Sequence, residues 1–477
     1  MPAPADFGQF IDDHADEFIK RLASAVAIQS VSSDPSRRDD VVKMAHWLEA
    51  QLQSYGVTTV LRDLGTHVED GHELPLPPAL LGSIGSDPSK KTVLIYGHFD
   101  VQPANKSDGW STEPFELTEE QDGRLVGRGS TDDKGPILGW LNTLQYHFET
   151  KKELPVNIKF CFEGMEESGS IGLDALVIKE GQPGGWFEGV DCVCISDNYW
   201  LNTRTPVITY GLRGVSYYKI DITGPARDLH SGVFGGTIHE PMTDLVLLMS
   251  KLVDVKGKIL VPGVYDMVTS ADADEREIYE RLDSSIAEIE EAAGGKIALS
   301  DSKVDVLMGR MRNPSLSLHG IEGAFYGGGA KTVIPAKVGG KFSLRLVPPM
   351  TPENITPLVT KYLEEEFAKL GSKNTLNVEF LHGGRPWVAD MNHWNYEAAK
   401  EATRQIYQVE PDMTREGGSI PITLTFADTL GCSVVLLPMG RGDDGAHSTN
   451  EKLDKSNFLQ GSKLLGTYLY ELADVKK

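Results

Sequence analysis

Thr92-Val93-Leu94-Ile95-Tyr96-Gly97-His98-Phe99-Asp100 is a nearly continuous apolar run that ends in a histidine and a carboxylate. Successive strand side chains point to opposite faces, so a run apolar at every position needs cover on both. That is the condition inside a parallel sheet. Residues 156–162, 190–195 and 433–437 repeat the pattern. Helical periodicity fits around residues 137–148 and 171–179, between these runs. The alternation predicts an α/β sheet layered with helices on both faces. Before it, Phe10, Phe18, Leu22 and Val26 recur at multiples of four. Val42, Trp47, Leu48 and Leu52 form a second apolar helical face.

The metal-capable residues cluster just after these runs. His98 and Asp100 follow the first. Asp132 and Asp133 lie in the turn Gly127-Arg128-Gly129-Ser130-Thr131-Asp132-Asp133-Lys134-Gly135, ahead of a helix candidate. Glu166 and Glu167 follow residues 156–162 through Gly164, and Asp197 follows residues 190–195. His447 comes after residues 433–437 and the loop Gly440-Arg441-Gly442-Asp443-Asp444-Gly445-Ala446. Open α/β sheets gather their sites at the carboxyl ends of strands, so these five loops are expected to converge on one edge.

Two histidines with several carboxylates make a nitrogen and oxygen ligand set suited to zinc, and also to manganese or cobalt. Carboxylates outnumber histidines, as a pair of ions sharing a bridging carboxylate requires. Two such ions can hold a hydroxide between them and polarise a carbonyl. Adjacent Glu166 and Glu167 can diverge, one binding metal and the other acting as general base. A lone Asp-Asp or Glu-Glu pair is usually a solvated turn or a helix cap; here the constellation, more than any one motif, carries the reading.

Bulk properties narrow the class. The chain has 477 residues, is 40% hydrophobic and carries a net charge of -23. That length predicts two domains. A polyanion gains nothing from a phosphate backbone, so nucleic acid is not an expected partner. No run approaches the roughly 20 apolar residues of a membrane span. The first twenty residues carry Asp6, Asp12, Asp13, Asp16 and Glu17, the wrong sign for export. Cys161, Cys192, Cys194 and Cys432 sit in apolar runs without C-x-x-C spacing and read as buried thiols. A cytoplasmic protein is expected. The acceptor patterns at Asn105 and Asn354 are discounted on that ground.

Residues 211–384 read differently. Strands at 215–223, 315–319, 341–347 and 376–381, with helices at 241–253 and 357–370, follow the ferredoxin-like order of strand, helix, two strands, helix, strand. An acidic helical insertion at about 272–293 interrupts it. The expected organisation is a catalytic domain of residues 1–210 and 385–477 with residues 211–384 inserted. Other signatures fail: Gly329-Ala330-Lys331-Thr332 lacks the glycines of a phosphate loop, and G-x-S-x-G and H-E-x-x-H are absent from the sequence.

The stretches Gly97-His98-Phe99-Asp100-Val101-Gln102-Pro103, Phe162-Glu163-Gly164-Met165-Glu166-Glu167-Ser168-Gly169-Ser170, Ser196-Asp197-Asn198-Tyr199-Trp200, Asp228-Leu229-His230-Ser231-Gly232, Arg415-Glu416-Gly417-Gly418-Ser419-Ile420-Pro421 and Gly445-Ala446-His447-Ser448 resemble the carnosinase-like metallodipeptidases. These are cytosolic non-specific dipeptidases of the aminoacylase and carboxypeptidase clan, and the chain looks most similar to the fungal branch that splits cysteinylglycine in glutathione turnover. The resemblance runs through nearly the whole chain. It implies a mixed-sheet dimetal-peptidase domain with an inserted ferredoxin-like α+β lid that also makes a homodimer. It implies two divalent ions per subunit, zinc or alternatively manganese: His98 and Asp197 would hold one, Glu167 and His447 the other, and Asp132 would bridge. Glu166 would be the general base and Asp100 would orient His98. His230 and Thr332 would reach the partner's site, His230 to stabilise the oxyanion. Arg345, Gly418 and Ser419 would hold the carboxylate of a dipeptide. The rival expectations are an acylase or carboxypeptidase of the same clan, or a metal-binding scaffold subunit without catalysis.

Overall fold

The computed structural model describes residues 3–69, 71–418 and 420–476. Ser419, one of the residues expected to hold substrate, lies outside them. The main strands, in chain order, are β1 (Thr58–Arg62), β2 (Ala79–Ile84), β3 (Thr92–His98), β4 (Asn157–Glu163), β5 (Cys192–Ile195), β6 (Val207–Leu212), β7 (Gly214–Thr223), β8 (Ser315–Glu322), β9 (Lys337–Leu346), β10 (Thr375–Gly384), β11 (Trp387–Val388), β12 (Asp412–Glu416) and β13 (Ser433–Leu436).

Nine of them form one mixed sheet in the order β1-β2-β4-β3-β5-β13-β6-β11, with β12 paired to β6. The middle four, β4, β3, β5 and β13, run parallel. Antiparallel pairs flank them. The residues of β3 divide between two cores. Val93 and Ile95 join a core with the helices Ala15–Val26, Lys134–Thr150, Trp394–Tyr407 and Lys455–Asp474. Leu94 and Tyr96 join the other, with Leu173–Glu180 and Pro421–Leu430. Each such side chain, buried from water, contributes about 1.5–3 kcal/mol.

β7, β8, β9 and β10 form a separate antiparallel sheet in the order β8-β9-β7-β10, the ferredoxin-like arrangement. Tyr218, Ile220, Ile222, Phe342 and Leu344 turn toward the helices Pro241–Met249 and Pro352–Leu370. On the opposite face the Tyr217 ring stacks between His319 and His382, each 5.2 Å away. Arg213 alone separates β6 of the large sheet from β7 of the small one.

Several expectations need correction. The first helical face is broken: Phe7–Asp13 ends at His14 before Ala15–Val26 starts, so Phe7 and Ile11 are buried and Phe10 only partly. In the helix Arg38–Ser54 the buried face is Val41, Met44, Ala45, Leu48 and Leu52, with Trp47 half-buried at its edge. The helix expected at 357–370 starts at Pro352, because Thr351 and Asn354 form a capping box and Pro352 occupies the first position. Pro357, which looked like a start, lies inside it. The helix expected at 241–253 ends at Met249. The acidic insertion reaches beyond residue 293 through a third helix, Lys303–Met311, which completes a small core with Tyr279 and Leu282. All four thiols are free; Cys432 is half-buried and the other three buried.

Candidate metal centre

The four parallel strands end on the same edge, and that edge carries the site. At the end of β3, Gly97 has no room for a side chain: a Cβ there would lie 2.7 Å from Asp133 Oδ2 and 2.8 Å from Ile137 Cγ1. The strand therefore abuts the start of the helix Lys134–Thr150, which sets the Asp132–Asp133 turn beside His98. His98 N donates to Asp133 Oδ2 at 3.2 Å. Lys134, wholly buried, donates to Ala25 O at 2.9 Å and Ile28 O at 2.8 Å, tying the turn to the end of the helix Ala15–Val26.

Four candidate ligand residues meet around a fifth, Asp132. His98 Nε2 lies 3.0 Å from Asp132 Oδ1 and 3.6 Å from Asp197 Oδ1. His447 Nε2 lies 3.2 Å from Asp132 Oδ2 and 3.0 Å from Glu167 Oε2. Two groups result, His98–Asp132–Asp197 and Asp132–Glu167–His447, each with its ligand atoms within 4.8 Å of one another. They share Asp132, which turns one oxygen to each imidazole.

Surrounding residues hold these side chains in place. Asp100 Oδ1 lies 3.4 Å from His98 Nδ1, the nitrogen facing away from Asp132. The Asp100 carboxylate also accepts Glu166 N at 3.2 Å and Glu167 N at 3.1 Å. One acid thus orients the first histidine and the glutamate pair together. Gln102 Nε2 donates to Glu167 Oε2 at 2.8 Å. Glu451, fully buried, accepts Gly129 N, Thr131 N and Asp132 N, each at 3.1 Å, and pairs with Arg128 at 2.7 Å. His447 adopts φ +61°, a conformation that non-glycine residues reach only when neighbours enforce it. Gly445 (φ +69°) precedes it in the same turn, and Ser448 N donates back to Gly445 O at 2.9 Å.

The electrostatics fit bound cations. Burial, together with Asp197 and Glu167, raises the Glu166 carboxyl well above its usual range. Burial also raises Asp197 and Glu167. Burial opposes ionisation of Asp132 too, but hydrogen bonds from His447 and His98 outweigh it and hold that carboxyl low. His447 is pushed up to about 10 by its hydrogen bonds to Asp132 and Glu167. Four acids buried together with imidazoles turned toward them is a donor set that divalent cations would neutralise. A third acidic group, Asp443, Asp444 and Asp454, is filled by the Lys452 ammonium instead.

A cavity of about 420 Å³ opens over the centre. Asp132, Glu166, Asp197, Gly418 and His447, all singled out in the sequence, line it. A model of peptidase family M20/M25/M40 matches residues 94–471. The chain belongs to this family. It is a metallopeptidase, a hydrolase of peptide bonds.

Relatives of this M20 peptidase match along almost all of their length. It is similar to the Cys-Gly metallodipeptidase dug1 of Schizosaccharomyces pombe, 53% identical over 467 residues that cover 98% of each chain. It is 46% identical to the human Beta-Ala-His dipeptidase, over 98% of this chain and 92% of the relative. Among solved structures, the Saccharomyces cerevisiae di-peptidase Dug1p superposes with a TM-score of 0.91 at 52% identity, covering 99% of both chains.

Other expected residues of the M20 peptidase fall outside its chamber. His230 and Thr332 are exposed on neighbouring short strands and turns of the inserted segment, where Ser231 N donates to Thr332 O at 3.1 Å. Gly232 N donates to His230 Nδ1 at 3.0 Å, which leaves Nε2 as the ring's free donor. Arg345 lies on β9 opposite Val215, partly buried and near Glu416, and does not line the chamber. Arg310 and Arg441 do line it and were not anticipated. Arg310 belongs to the insertion helix Lys303–Met311, far from any strand end, so strand-end reasoning had no means of finding it.

Proposed function

We propose that this M20 peptidase is a cytoplasmic, homodimeric dipeptidase with two divalent ions per subunit, and that cysteinylglycine from glutathione turnover is among its substrates. The observation that carries the reading is Asp132 with one imidazole on each carboxylate oxygen, at the floor of a chamber of about 420 Å³. A chamber of that size suits a short peptide. The fungal relatives named for Cys-Gly and the human one named for Beta-Ala-His both favour dipeptides.

In this reading His98 and Asp197 would hold one ion, Glu167 and His447 the other, with Asp132 shared between them. Zinc fits the ligands best and manganese is the alternative. Bound there, divalent ions would supply Lewis acidity for the scissile carbonyl and for an attacking water. Glu166 takes that water's proton and returns it to the leaving amine, a task suited to a carboxyl whose proton affinity burial has raised. Asp100 keeps the His98 imidazole aligned. Arg345, Gly418 and Ser419 bind the substrate carboxylate, Arg345 through its fork of donors.

Residues 211–384 act as lid and dimer contact. Val233, Phe234, Phe325 and Tyr326 are exposed there, a concentration of apolar surface that a second subunit would cover. From the partner, His230 would donate its Nε2 proton to the developing oxyanion and Thr332 would touch substrate. The four free thiols support a cytoplasmic setting.

Purified protein is stripped with a chelator, then assayed on cysteinylglycine with zinc or manganese added back. Activity lost and restored by one ion supports the proposal and identifies a working metal. An intact protein that leaves cysteinylglycine uncut under every condition overturns it.

A further inference from the structure

The junction between the two sheets holds a cation that no expected role uses. Arg213 is the single residue between β6 and β7, and its guanidinium reaches in three directions. It donates to Gly417 O at 3.2 Å, in the turn that carries Gly418. It donates to Gly309 O and Asn313 O, both at 3.2 Å, at the end of the helix that carries Arg310. It donates to Ser315 Oγ at 3.1 Å, on the first residue of β8. Its backbone N donates to Glu416 O at 3.2 Å.

All the acceptors of this side chain are neutral. Among the described residues no carboxylate pairs with it. Burial lowers its proton affinity, to about 10, and the nearby Arg345 and Arg310 add repulsion against Glu416's attraction. Arg213 is half-buried, and a guanidinium drawn partly out of water without a counter-ion costs free energy, which its hydrogen bonds to neutral acceptors offset only while they are made. The seat is close-fitting. A Cβ on Gly417 would lie 2.7 Å from Arg310 O and 2.9 Å from Arg213 Nη2.

We infer that Arg213 is a positioning residue, which fastens the Gly417–Gly418 turn and the Arg310 helix to the junction, so that the substrate-facing wall of the chamber moves with the small sheet. This rests on the dipeptidase reading above for the identity of the substrate. The wall in question carries Glu416, Gly418 and Arg310, and all three line the chamber. The candidate metal ligands lie at the carboxyl edge of the large sheet, and none of them is a hydrogen-bond partner of the Arg213 side chain. Arg213 therefore bears on substrate binding and leaves the metals alone.

The test uses full-length protein loaded with the working ion and the variants Arg213→Lys, Arg213→Met and Ser315→Ala. Arg213→Met is expected to raise KM for cysteinylglycine about tenfold or more, with kcat within about threefold of wild type and metal content unchanged. Arg213→Lys should fall between, since a point charge cannot serve four separated acceptors. Ser315→Ala removes one acceptor and should shift KM about twofold in the same direction. Hydrogen exchange gives a readout that does not depend on which peptide is cut. Peptides spanning 303–315 and 412–418 should exchange faster together in Arg213→Met, while 92–100 stays as in wild type. Unchanged exchange in both segments overturns the inference, as does a KM within twofold of wild type in every folded variant. Should Arg213→Met fail to fold, the exchange and KM of Ser315→Ala and Arg213→Lys decide by the same criteria.

Discussion

Asp132 N donates to Glu451 Oε1 at 3.1 Å, joining residues 319 positions apart in the chain. The same carboxylate receives Gly129 N and Thr131 N and pairs with Arg128, so the whole turn that presents Asp132 hangs on one buried acid. Glu451→Ala leaves three amides and a buried guanidinium uncompensated. The expected loss is about 3–5 kcal/mol of stability, with metal affinity weakened roughly 10–100-fold. Thermal unfolding and metal titration measure both; a variant that binds metal as tightly as wild type refutes the role.

Glu166 reaches the chamber without holding a place in either ligand group. Glu166→Ala should lower kcat by roughly 10²–10⁴-fold while metal stoichiometry stays the same. Loss of metal in this variant would move Glu166 into the ligand set.

The two imidazoles differ in access. The His98 side chain is fully buried, whereas that of His447 is 57% exposed. A chelator should remove the ion on the His447 side first and produce two phases of metal release. A single phase that empties both sites together would contradict this. Asp132→Asn should weaken both sites, because it alters the ligand that the two groups share.

Cross-subunit catalysis can be read from mixed dimers. Glu166→Ala and His230→Ala should each be nearly inactive alone. Coexpressed, they should recover about a quarter of wild-type activity, since random pairing makes half the dimers mixed and each mixed dimer has one complete site. No recovery in a verified mixed dimer removes His230 from the partner's site.

A pH prediction concerns Asp412, whose carboxyl accepts Asp283 N at 2.7 Å. Burial raises it to about 6, against about 3.9 in an unfolded chain. Between those values the folded state binds more protons, so its contribution to stability is full below pH ~4 and is lost as pH rises through ~6. Asp412→Asn keeps an acceptor and does not titrate. The variant should gain stability relative to wild type from pH 4 to pH 7, as read by denaturant unfolding of the metal-free protein. A difference that stays flat over that range rejects the assignment.

The sequence by itself determined the parallel strands and the chemistry at their ends. A run such as Val93–Leu94–Ile95–Tyr96, apolar toward both faces, has few stable settings other than an interior strand, and a strand end is where a sheet of this kind opens to a ligand. His98, Asp100, Asp132, Asp133, Glu166, Glu167, Asp197 and His447 were therefore legible as a group, and the resemblance to a family singled out five of them as ligands. Tertiary structure decided what depends on distance across the chain. Only folding brings Glu451 under the Asp132 turn, sets the acidic insertion's Arg310 on the chamber wall while leaving Arg345 off it, and gathers three loops on Arg213. Local periodicity reports which face of a segment is apolar. A hydrogen bond between residues hundreds of positions apart leaves no trace in that pattern, because either partner alone looks like an ordinary polar residue.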